Sequence, residues 1–227
     1  MAEGEGSGMK GIPFTSYDFW GYLTAGFGMI FVADYVADTH LLERGTWSLV
    51  EGLVAIACAY MVGHIIAGMS AFLWEGLLLR KWTGIPTDIL MGAAPKGPWL
   101  LRTIAPTYYK PFDAGLRKII ADKAKKDGVP PKGEGLFWAA FNVTRDNDRA
   151  QNRMSDFLNQ YGLCRNLSFT ACICAVVLLY ATLTHRHPHD GWWAALAAFL
   201  GAAMYLRYMK FYRHYAIEVL TTYAHAK

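Results

Sequence analysis

Residues 52–74 contain no Asp, Glu, Lys or Arg, and that run restricts the chain more than any other feature. A helix on the surface of a soluble domain carries charge on its polar face every turn or two. These 23 residues would form a helix roughly 34 Å long at about 1.5 Å per residue. That length crosses a hydrocarbon core of about 30 Å with slight tilt. The composition agrees, since 54% hydrophobic and 18% charged residues in a chain of 227 is apolar for a soluble domain of this size.

Three further segments read as spans. Residues 19–36 (FWGYLTAGFGMIFVADYV) are apolar except for Asp34, residues 166–184 (NLSFTACICAVVLLYATLT) carry no charge, and residues 191–206 (GWWAALAAFLGAAMYL) are short but extensible by snorkelling of Arg207. The expected fold is all-α: a polytopic membrane protein with four transmembrane helices and a cytoplasmic helical insertion between the second and third. Its expected divisions are a polar segment 1–18, a first transmembrane pair 19–79, the insertion 80–163, a second pair 164–206 and a C-terminal helical extension 207–227. The opening MAEGEGSGMKG is acidic and Gly-rich, unlike the basic start of a secretory signal.

Basic residues set the orientation. Arg44 and Arg186 fall in the two short loops, and the other 20 of the 22 Lys and Arg lie at the opposite ends of the spans. By the positive-inside rule both termini and residues 80–165 are expected in the cytoplasm of a cell that holds the protein in its plasma or inner membrane. The net charge of +4 then faces anionic headgroups, so the lipid bilayer is the expected partner and nucleic acid is not. Within the insertion, residues 82–112 hold five prolines and read as an irregular connection. DAGLRKIIADKAKKDG reads as a helix from Asp113 to a stop at Gly128, residues 136–163 as a helix or helix pair feeding span three, and RYMKFYRHYAIEVLTTY as a continuation of span four.

Ala55, Ala59, Gly63, Ala67 and Ala71 recur every four residues, a ridge of small side chains that lets membrane helices approach closely. Ala194, Ala198 and Ala202 offer the same spacing on span four. The two ridges either pack together within one subunit or turn one face to a neighbouring copy. His64 follows Gly63, near mid-membrane. It is expected either to hydrogen-bond a neighbouring helix as a neutral ring or, with Asp34, to mark an ion or proton pathway. The four cysteines, three of them inside spans, read as packing residues.

The outer rim is the candidate metal site. Asp34 and Asp38 are four apart, and THRHPHD contributes His185, His187 and His189, carboxylate and imidazole ligands suited to zinc or copper(II). On the cytoplasmic side Arg165, Arg207, Lys210 and Arg213 suggest a belt for a lipid headgroup or phosphate, or for Glu75 and Glu218. No Gly-rich phosphate loop, nucleophile elbow or HExxH motif is present. The leading expectation is a non-catalytic, oligomeric membrane component that docks a partner through its cytoplasmic helical domain. A small ion or metal transporter and a membrane enzyme acting on lipid are the alternatives.

Overall fold

The computed structural model describes residues 16–94, 97–145, 148–184 and 189–226. Every regular element among them is helical. Helices α1 (Ser16–Ala37) and α2 (Leu49–Ser70) are antiparallel neighbours. Ser48 opens α2 with a capping box, accepting from the Glu51 N–H while the Glu51 carboxylate accepts from Ser48. The helix then widens without a break into a π-helix, Ala71–Thr83, whose last N–H, on Gly84, reaches five residues back to Leu79.

Short helices α3 (Pro86–Leu90) and α4 (Trp99–Ile104) occupy the proline-rich connection. Helix α5 (Ala114–Lys126) is capped by Asp113, which accepts from the Leu116 N–H, and ends before Gly128 in the left-handed region at φ 69°. Helices α6 (Gly133–Arg145), α7 (Asp148–Leu183) and α8 (Asp190–His225) complete the chain. The segment from 136 to 163 is therefore a helix pair, its second member continuous with the apolar run, and the last apolar run likewise continues unbroken to residue 225.

Helix α7 packs along α8 and beside α1 and α2, while the second half of α8 receives α3, α5 and α6. That second half carries its own core, in which Ile120, Ala124, Leu136, Ala140, Val219, Leu220 and Tyr223 are fully buried. Among the described residues, two helical stretches are long and apolar enough to cross a membrane, Leu49–Leu90 and Ala150–Leu183.

The small-residue ridge of α2 meets α1. Ala59, Gly63 and Ala67 are buried, with Ala55 and Ala71 half-buried at its ends. A Cβ at Gly63 would overlap the Tyr22 carbonyl, and one at Gly26 would overlap that of Ala59. The partner is thus α1 and not the ridge on α8. There Ala194 is buried while Ala198 and Ala202 face outward, and Gly201 makes the close approach, to Cys172 and Ser168 on α7.

This contact predicts a contrast within one helix. Gly63→Ala drives a methyl into the Tyr22 backbone and should lower stability by about 1–3 kcal/mol, the usual cost of overpacking. Gly68→Ala, where nothing lies within 4 Å of the added carbon, should be neutral or stabilising. Thermal melts of the two variants in detergent compare them directly.

Candidate functional site

The most elaborate polar arrangement lies where α2 becomes the π-helix. Arg165, on α7, is 9% exposed and must find partners inside the protein. Its Nε donates to Ser70 Oγ at 3.1 Å and to Asn166 Oδ1 at 3.3 Å. One terminal nitrogen reaches Asn166 Oδ1 and the Ala67 carbonyl, at 3.3 and 3.5 Å, and the other forms an ion pair with Glu75. Ser70 is shared between the Ala67 carbonyl, at 3.0 Å, and Asn166 Oδ1, at 2.8 Å. One turn away, Trp74 Nε1 donates to Ser168 Oγ at 3.0 Å, which donates on to the Gly201 carbonyl at 2.8 Å. The chain of bonds joins α2, α7 and α8.

The π-helix makes this possible. In an α-helix two residues five apart point about 140° away from each other, so Ser70 and Glu75 would not face one guanidinium. Bonding five residues back brings them towards one face. A cavity of about 240 Å³ adjoins the network, and its lining includes Glu75, Arg80, Glu134, Phe137, Trp138 and Tyr212.

The expected basic belt is dispersed. Arg165 is spent on Glu75, and Arg213 donates to the carbonyls of Tyr108 (2.8 Å) and Lys110 (2.6 Å), pinning the loop before α5 onto α8. Glu218 takes Arg153 instead, at 2.6 Å. Arg207 and Lys210 remain exposed, the former 5.3 Å over the Phe211 ring. The four residues do not converge on one headgroup or phosphate.

Of the outer-rim residues expected to hold a metal, Asp34, Asp38 and His189 lie among the described residues. Asp34 turns back into its own loop, accepting from the Thr39 hydroxyl and from the N–H groups of Leu41 (2.9 Å) and Leu42 (3.0 Å). Those bonds hold a turn in which Asp38 and His40 have φ of 57° and 49°, left-handed conformations that non-glycine residues seldom adopt. Asp38 pairs with His40 at 2.9 Å. His189 sits exposed before α8, where its carbonyl accepts from Trp192 and Trp193, and His185 and His187 lie outside the described residues. Among the described residues no group of three His, Cys, Asp or Glu is placed to hold a metal. The α1 and α8 ends do meet, through a hydroxyl of Tyr35 donating to the fully buried Asp190 at 2.9 Å.

His64 is exposed on the outside of the bundle. Successive helical residues turn by about 100°, so seating Gly63 inward sends His64 outward. Its ring stacks on Tyr22 at 4.1 Å and meets the edge of Tyr60 at 4.6 Å. With Asp34 folded into its loop, the two residues do not share a path through the interior.

No protein-family model matches the chain, and no curated protein or solved structure is significantly similar to it.

The outer loop should respond to pH. His40 is pushed above its ordinary pKa by its bond to Glu43 and then by the charges of Glu43 and Asp38. A raised folded value stabilises the loop fully below the unfolded imidazole value, about 6.5, and this stabilisation is lost as pH rises through the folded value. After correction for intrinsic exchange, hydrogen-exchange protection of residues 38–43 should fall over that window in the native protein and stay flat in His40→Gln.

Proposed function

We propose that the chain is a four-span integral membrane protein of the plasma or bacterial inner membrane. In this reading residues 80–163, together with 207–227, form a cytoplasmic helical domain with both termini on that side. Its role is non-catalytic: a component of an oligomeric membrane assembly that docks a partner through the helical domain.

The observation that carries the membrane reading is the coat of exposed large apolar side chains around all four long helices. Phe31 on α1, Leu53 and Ile65 on α2, Val176 and Leu183 on α7, and Trp192 and Phe199 on α8 are each more than half exposed. Soluble monomers seldom expose large contiguous apolar patches, and a bilayer covers side chains of this kind. In lipid the same surface costs nothing. Trp47, Trp192 and Trp193 gather at one end of this coat, as interfacial aromatic residues do. The surface of α5 is different, with Lys118, Lys125 and Lys126 exposed.

Support for an oligomer comes from α8, where Gly191, Ala195, Ala198 and Ala202 all face outward at spacings of four, three and four residues. Small residues in that register let a second membrane helix approach. The transporter reading has less behind it, because Asp34 and His64, on which it stood, are engaged separately.

Cysteine labelling in intact cells, on a background free of native cysteines, tests the arrangement. Gly45→Cys should react with an impermeant reagent from outside, and Pro130→Cys only after the membrane is opened. A photo-crosslinker at Ala198 should yield covalent dimers, and one at Ile119, half exposed on α5, an adduct with one other protein. Labelling of position 130 from outside would defeat the topology, and an absence of both adducts would defeat the docking role.

A further inference from the structure

The cavity beside the Arg165 network has no part in the docking role. It lies between the π-helix, α6 and α8, and its lining combines three aromatic rings with two carboxylates. Phe137 and Trp138 meet edge to face, at 76° with centroids 5.6 Å apart, and Tyr212 enters from α8. Glu75 faces both the cavity and Arg165. Glu134 reaches the cavity from the first turn of α6 and bridges Arg80 at 2.5 Å. Both members of that bridge are more than half exposed, so it stands at the mouth.

We infer that this cavity binds an organic ammonium group. Aromatic faces attract a cation whose charge is spread over methyl or methylene groups, and the attraction grows when the site is shielded from water. Leu79 and Ile85 complete an apolar wall against which such groups pack. Each carboxylate is already paired, Glu75 with Arg165 and Glu134 with Arg80, so the rings and not a net negative charge select the cation. An anion would meet the negative faces of the rings. A bare metal ion would find aromatic carbon where oxygen ligands are needed. At about 240 Å³ the space suits a single headgroup-sized molecule and is smaller than drug-sized sites.

Two sources can supply the ammonium group: a free amine in the cytoplasm, or a zwitterionic lipid headgroup entering from the adjoining bilayer. In the second case Arg80 at the mouth meets the phosphate that follows the ammonium. The lipid source rests on the four-span reading; the ammonium chemistry does not.

Calorimetric titration of the purified full chain in maltoside detergent tests the inference, with choline as probe and its uncharged carbon isostere, dimethylbutanol, as control. Choline should bind, the isostere about tenfold more weakly or not at all, and Trp138→Ala should weaken choline by about tenfold. Trp138 is exposed, so this variant does not endanger folding, and Trp138→Phe should retain most of the binding. Tighter binding of dihexanoylphosphatidylcholine than of choline, with the gain lost in Arg80→Gln, assigns a lipid headgroup. Equal or weaker binding assigns a free amine. No heat with choline, equal affinity for the isostere, or unchanged affinity in Trp138→Ala overturns the inference.

Discussion

A guanidinium that has left water must be met on every side, and the centre of this protein is arranged around that requirement at Arg165. Breaking a buried pair by removing one member costs far more than the pair contributes in isolation, so the surrounding backbone is under pressure to keep all the partners in place. Ser70, Glu75 and the Ala67 carbonyl come from the α2–π-helix stretch and Asn166 from α7. The first two can face one group because the helix widens at Ala71. π-Helical turns are uncommon and recur at functional sites. Here the widened segment has two consequences, since Glu75 serves Arg165 on one side and borders the cavity on the other.

The network also divides the molecule by surface chemistry. On the side of α1, the first half of α8 and the apolar ends of α2 and α7, contacts are made by small residues and backbones in close approach, as at Gly26, Ala59, Gly63 and Gly201. Large apolar side chains there point outward. On the other side, α5 and α6 close a conventional apolar core over the end of α8. Helix α8 passes unbroken through both regions, and a stack of Tyr161, Tyr205, Tyr208 and Tyr212 fills the passage between them, with centroids 5.3–6.1 Å apart. One helix thus joins two differently packed regions, which under the proposed membrane reading would hold a contact surface at a fixed distance from the bilayer.

The elements were legible in the sequence wherever a local signal set them. The uncharged run 52–74, the cap at Asp113 with its stop at Gly128, and the continuation of the last apolar segment all correspond to helices of the fold. The ridge through Gly63 was visible as a pattern, but its partner was not, because spacing alone does not say which helix lies opposite. Side-chain direction was the harder matter. Seating Gly63 against Tyr22 turns His64 outward, and a short loop with two left-handed residues recruits Asp34 as its own hydrogen-bond acceptor. Glu75 and Ser70 stood in the sequence as isolated polar residues at a span end. Read with an α-helical period they diverge, and only the π register unites them on Arg165.

A double-mutant cycle between Glu75→Gln and Arg165→Met, read by unfolding in mixed micelles, tests that union most directly. If the widened helix holds the two charges together, one single change leaves the buried Arg165, and the other the half-buried Glu75, without its counter-charge. The combined loss should then fall short of the sum of the singles by more than about 1 kcal/mol, within the range found for residues in one network. Losses that add to within about 0.5 kcal/mol, as they do for distant sites, would contradict a fold organised around this pair.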